Sequence, residues 1–138
     1  MKIYLDIDGV LLTKNQKLPE YSSEFIDFIV KRYDCYWLTT HCRGGENKAI
    51  QYLKLFYEEK DIQQLEKLKP TNWTTLKTEA IDFEANFIWL EDYPFEAEKQ
   101  ILAQNNKEKY LIEVNLNRKG ELQEVIQQIL FLEKRLTN

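Results

Sequence analysis

The run Ile3-Tyr4-Leu5-Asp6-Ile7-Asp8-Gly9-Val10 constrains this chain more than any other stretch. It begins as a short apolar strand, turns acidic at Asp6 and Asp8, and meets a glycine at once. Side chains alternate along a strand, so an extended backbone would send Asp6 and Asp8 to the same face. Two carboxylates that close are costly unless a cation, a shared proton or a turn separates them. A strand that ends in acids and a flexible turn suits a reaction centre at the carboxyl edge of an open α/β sheet, where such folds bind their ligands.

The rest of the chain alternates strand and helix patterns. Residues 2–6 read as the first strand and 9–18 as a loop or small flap. A helix follows Pro19 and runs from Glu20 to Tyr33, with Phe25, Ile26, Phe28, Ile29 and Val30 on roughly one face. Cys35 to Thr39 is a compact aromatic strand, Thr40 to Gly45 a turn, and Glu46 to Tyr57 a second helix. Residues 58–69 are charged and helix-prone; they read as a further short helix or as the lead into an edge strand. Pro70 to Thr75 is a loop, and Leu76 to Asp82 a helical turn or two. Phe87 to Leu90 is strongly strand-like and ends in Glu91-Asp92. A helix over Phe95 to Gln104, a strand over Tyr110 to Val114 and an amphipathic helix over Glu121 to Leu136 complete the chain.

Strands alternating with helices predict a mostly parallel sheet of four to five strands, covered on both faces. The fold expected is one three-layer, Rossmann-like α/β domain over residues 1–138, large enough for a single core. With 43% hydrophobic and 30% charged residues, and only 4 Gly and 3 Pro, the composition excludes a largely disordered chain. The net charge of -4 argues against a protein that coats nucleic acid, while leaving room for a local basic patch. No apolar run approaches the ~18 residues of a membrane span, and Asp6 comes too early for a signal peptide. Cys35 and Cys42 form no C-x-x-C pair, and the single His41 does not complete a zinc site with them. The expectation is a cytoplasmic protein with reduced thiols.

Three strands end in polar groups: Asp6 and Asp8, then Thr39 and Thr40, then Glu91 and Asp92. In a parallel sheet all carboxyl ends share one edge, so these groups meet there, with Lys77 in the segment leading to the third strand. Carboxylates, a hydroxyl and an amine at one edge make a site for Mg²⁺ and a phosphoryl group. Hard oxygen ligands suit Mg²⁺, and hydroxyl and ammonium hold phosphate oxygens. A calcium loop of EF-hand type would need a Glu twelfth from Asp6, where Lys17 stands.

Asp6-Ile7-Asp8-Gly9-Val10 resembles the first motif of the haloacid dehalogenase superfamily. Thr39 after Tyr36-Trp37-Leu38 matches the second, Lys77 is placed like the third, and Glu91-Asp92 after Phe87-Ile88-Trp89-Leu90 resembles the fourth. The resemblance covers residues 2 to about 98. It implies that Asp6 is a nucleophile forming an aspartyl-phosphate and Asp8 the general acid and base. It implies further that the Asp6 carboxylate, the Asp8 main-chain carbonyl and Asp92 hold Mg²⁺, and that Thr39, or Thr40 in its place, and Lys77 bind the phosphoryl group. Glu91 departs from the motif, where Asp or Gly is commoner, and is carried as a further candidate metal ligand. The usual additional acid falls on Glu96 or Glu98, with Glu96 preferred.

Members of that superfamily often carry a cap domain after the first motif or between the second and third. Residues 9–18 and the span from Thr40 to Lys77 are too short for one, so the resemblance is to a small capless phosphatase. An open site of that kind admits phosphate on a small or a large molecule. His41 and Arg43, just past Thr39, are candidates for touching a substrate beyond its phosphate. Two alternatives carry different chemistry: a phosphoacceptor domain of receiver type, and a catalytically idle binding module. A receiver domain places its acceptor Asp at the end of a middle strand, where this chain has Thr39.

Overall fold

The computed structural model describes residues 1–137. Four strands, β1 (Lys2–Leu5), β2 (Asp34–Trp37), β3 (Phe87–Glu91) and β4 (Leu111–Glu113), form an all-parallel sheet in the order β2-β1-β3-β4. Five α-helices accompany it: α1 (Ser22–Arg32), α2 (Ala49–Leu53), α3 (Glu59–Leu65), α4 (Glu96–Gln104) and α5 (Glu121–Thr137). Leu5 lies opposite Trp37 on one side and Leu90 on the other, so β1 is central and its carboxyl end opens between β2 and β3.

Strand periodicity builds the three layers. Ile3, Leu5, Ile88 and Leu90 point into the larger core, where they meet Phe25, Ile26 and Ile29 of α1, Ile62 and Leu65 of α3, and Val125 and Ile129 of α5. The alternate residues Tyr4, Phe87 and Trp89 face the other side, packed with Leu38, Trp73, Ile81 and Leu102. A sheet buried on both faces needs such continuous apolar strands, and β3 is buried at all five positions. Helix α5 puts Leu122, Val125 and Ile129 on its buried stripe, with Glu121 and Glu124 in the first turn and Lys134 and Arg135 in the last. Those charges complement the helix dipole.

Several elements differ from the sequence reading in extent. The helix expected over Glu46 to Tyr57 is regular only over Ala49–Leu53. Asn47 accepts the Ala49 N–H on its side chain at 3.2 Å, and the Lys48 N–H goes back to the His41 carbonyl at 2.9 Å, so residues 46–48 are spent on the turn. For residues 58–69 both alternatives hold in succession. Helix α3 comes first, then Lys69 bridges to Tyr36 in parallel, receiving the Trp37 N–H at 2.8 Å and giving its own N–H to Cys35 at 3.1 Å. The strand expected from Tyr110 starts at Leu111, because Glu108–Tyr110 is a 3₁₀ turn. Likewise Leu76 to Asp82 contracts to one 3₁₀ turn over Lys77–Ala80. Among the described residues no helix is long and apolar enough to cross a membrane.

Candidate active site

Chain order leaves β1 toward β2, then crosses back over β1 to β3. The connections therefore diverge at the carboxyl ends of β1 and β3, the crevice where parallel α/β sheets bind ligands. Asp6 follows β1 directly and Glu91 is the last residue of β3, so neighbouring strand ends deliver both acids to that crevice. Oxygens of Asp6, Glu91 and Asp92 all lie within 4.8 Å of one another.

Lys77 is the cation of this cluster. Its Nζ lies 3.1 Å from Asp6 Oδ2 and 2.6 Å from Glu91 Oε1, with only 14% of the side chain exposed. It is no solvated surface lysine. Its 3₁₀ turn is held by two carboxylates. Glu79 accepts the N–H groups of Thr74, Thr75 and Leu76, and these bonds hold its carboxyl below the usual range. Glu98 accepts the Lys77 N–H on one oxygen and the Phe95 N–H on the other, both at 2.8 Å, tying this turn to the start of α4. Beneath the ammonium lies the ring of Trp73, 5.9 Å from Nζ to centroid.

The cluster is electrostatically tense. Burial opposes the Lys77 charge, but Asp6 and Glu91 more than offset it and hold the ammonium above its ordinary pKa. Burial first, and then the Asp6 charge, push the Glu91 carboxyl well above the usual carboxylate range, with Lys77 pulling the other way. Glu91 Oε2 also accepts the Asp92 and Tyr93 N–H groups at 3.1 and 3.3 Å. Glu91 is thus committed to Lys77 and to the backbone, while Asp92 accepts none of the described hydrogen bonds on its carboxylate. Three carboxylates face one ammonium, and every acidic donor is an oxygen. Such a set fits a hard divalent cation such as Mg²⁺.

Gly9 makes the arrangement possible. Its φ of +84° lies in the left-handed region, and a Cβ there would fall inside the Asp92 carboxyl group. Only glycine lets the backbone after Asp8 turn under Asp92. The turn also separates the two aspartates. Asp6 is 11% exposed at its side chain and Asp8 57%. Asp8 does not face the buried cluster; its Oδ2 lies 3.1 Å from His41 Nε2 and its Oδ1 accepts the Tyr52 hydroxyl at 3.2 Å.

Thr39 is fully buried at the end of the β2 segment, where Leu38 N–H bonds to the Leu5 carbonyl, and its Oγ1 receives the His41 N–H at 3.4 Å. Thr40, its neighbour, is exposed. Of the acids near α4, Glu96 is solvent-exposed and lies 3.8 Å from Lys99, so it is not brought to the cluster. Arg43 reaches the Thr74 carbonyl, bracing one loop against another. Tyr52 carried no signal in the sequence, because it sits in an amphipathic helix where an aromatic reads as packing. The backbone role of Glu98 had one: an acid three residues past a helix's flanking residue commonly turns back on the N–H groups there. Both thiols are free and buried, and burial pushes Cys35 up to about 12 and Cys42 to about 11, which favours the protonated thiol in both.

Comparison of the chain with family profiles, characterised proteins and solved structures gives no significant match.

Proposed function

We propose that the protein is a Mg²⁺-dependent phosphohydrolase acting on phosphate monoesters through an aspartyl-phosphate. The observation that carries this reading is the Asp6–Lys77–Glu91 cluster with Asp92 beside it, at the crevice between β1 and β3. It is the constellation expected from the resemblance to the haloacid dehalogenase superfamily. The strand order, with a short bridge outside β2 and no separate insertion over residues 9–18, also suits a small capless member.

In this mechanism a carboxylate oxygen of Asp6 attacks phosphorus while the ester P–O bond breaks, and the proton of Asp8 passes to the leaving oxygen. Water then attacks the aspartyl-phosphate, gives its proton to Asp8 and releases inorganic phosphate with Asp6 regenerated. Lys77 stands beside the attacking carboxylate, where its charge offsets that of the transferring group. Thr39 supplies a hydroxyl at the neighbouring strand end. Glu91 holds the ammonium in place rather than serving as a primary metal ligand, and Glu98 does the same for the backbone that carries it. Asp6, Asp92 and the main-chain carbonyl of Asp8 would hold Mg²⁺, which when bound neutralises phosphate charge. The substrate is a phosphorylated molecule, small or macromolecular.

The test is release of phosphate from 4-nitrophenyl phosphate, with Mg²⁺ and with a chelator, by wild type and by Asp6→Asn. Turnover that needs Mg²⁺ and disappears in the variant supports the reading. Equal turnover in wild type and variant sinks it. A stoichiometric phosphoprotein without multiple turnover would favour a receiver-type domain instead.

A further inference from the structure

The exposed carboxylate of Asp8 is held by two aromatic rings that the catalytic scheme does not use. We propose that His41 and Tyr52 are positioning residues that fix the Asp8 carboxyl for proton transfer to the leaving group; this rests on the phosphohydrolase reading of the site.

Asp8 has more than half of its side chain in solvent, and such a carboxyl would rotate freely without partners. Here each oxygen has one. Tyr52 donates its hydroxyl to Oδ1, and His41 Nε2 stands at Oδ2. The direction of the tyrosine bond is set by Gln16, whose amide donates to the same hydroxyl at 3.2 Å and leaves its proton for Asp8. The two rings also hold each other. They stack with centroids 4.2 Å apart and planes at 18°, and Phe56 packs edge-on against Tyr52 at 5.3 Å.

The backbone fixes the histidine as firmly. Its N–H is given to Thr39 Oγ1 and its carbonyl receives Lys48 N–H, which anchors it between the β2 end and the start of α2. Asp8 is thereby bound to α2 and to the turn after β2, while Asp6 is bound to β3 and Lys77. The nucleophile and the proton donor are oriented from opposite sides of the crevice. Holding a reacting group in one rotamer raises rate through orientation alone.

The experiment compares two esters whose leaving groups differ in their need for a proton. Wild type, Tyr52→Phe and His41→Gln are assayed with Mg²⁺ on 4-nitrophenyl phosphate and on an alkyl phosphate such as glycerol phosphate. Tyr52→Phe keeps the ring stack and removes only the hydroxyl, so it separates positioning from folding. Each variant should lose about 10-fold or more in kcat/KM on the alkyl ester and about 3-fold or less on the aryl ester, with KM little changed. Equal losses on both esters, or a loss carried by KM, overturn the role and make these rings substrate contacts or structural supports.

A second readout needs no turnover. His41 is the only histidine, so its imidazole ¹⁵N signals are unambiguous, and both Asp8→Asn and Tyr52→Phe should shift them. Unmoved signals overturn the proposal by removing the contact. Signals that shift in both variants, together with a wild type that turns over neither ester, defeat the phosphohydrolase reading and the positioning role with it.

Discussion

Asp6 and Asp8 stand two residues apart and live in different environments. Asp6 is in a buried cluster where the carboxylates outnumber the one ammonium: Lys77 touches it and Glu91, and burial strengthens each contact. Asp8 lies on the open side, held by the His41 ring and the Tyr52 hydroxyl. The difference suits the two roles proposed for them. A nucleophile benefits from a fixed, ionised carboxylate, whereas a group that gives and takes protons needs access to the solvent side. Two like carboxylates acquire unlike surroundings because Gly9 turns the chain between them and its missing side chain makes room for Asp92.

The largest effects are expected on the buried side. Asp6→Asn keeps the shape and removes the proposed nucleophile, and kcat should fall by at least about 10³-fold in the phosphate-release assay. Next comes the ammonium. Lys77→Met leaves Asp6 and Glu91 without their cation, and urea unfolding should show a loss of about 3–5 kcal/mol. Adding Glu91→Gln to that variant should recover part of the loss, because one uncompensated buried carboxyl is then gone. A Lys77→Met protein as stable as wild type would show that Glu91 simply takes up a proton and that the cluster contributes little to the fold.

Gly9→Ala probes the boundary between the two sides. A side chain at φ +84° costs about 1–2 kcal/mol by backbone strain alone, and it would displace the Asp92 carboxylate as well. Stability should drop by about that amount, while the Mg²⁺ concentration for half-maximal activity rises. Unaltered Mg²⁺ dependence would remove Asp92 from the proposed metal site.

The smallest effect lies away from the crevice. Burial holds Cys35 up to about 12 and Cys42 to about 11, so both thiols stay protonated in the folded state at a pH where unfolded thiols ionise. A raised pKa contributes stability that is complete below the unfolded value near 9 and is lost as pH climbs toward 11 and 12. Unfolding free energy should therefore decline above about pH 9, less steeply in a Cys35→Ala, Cys42→Ala double variant. A thiol reagent at pH 8 should react slowly with native protein and fast in urea.

Much of this was legible beforehand for physical reasons that differ by element. Apolar strands such as Phe87 to Leu90 announce a sheet buried on both faces, and all four expected strands form, with ends shifted at Asp34–Trp37 and Leu111–Glu113. The helix over Glu46 to Tyr57 was overdrawn because apolar spacing ignores local competition, and the Asn47 side chain together with the Lys48-to-His41 bond shortened it. Residues 58–69 resisted a single reading because they are two things, a helix and a bridging residue, and only pairing with Tyr36 creates the second. At the site, the chain points to Asp6, Lys77 and Glu91 and favours Thr39 over Thr40 and Glu96 over Glu98; the fold buries Thr39, but it is Glu98 that meets the Lys77 turn while Glu96 faces solvent.

The sequence alone determined the strand-helix alternation, the acidic strand ends and the glycine that follows them, because these depend on local propensity and side-chain period. Tertiary structure decided the partners. Lys77 meets Asp6 across 71 positions and Tyr52 meets Asp8 across 44. Contacts of that span depend on which strands become neighbours and how the connecting loops fold back, and no local rule encodes them. The run from Ile3 to Val10 carried both aspartates from the outset; the fold placed one in a buried ion cluster and the other on an open wall of rings.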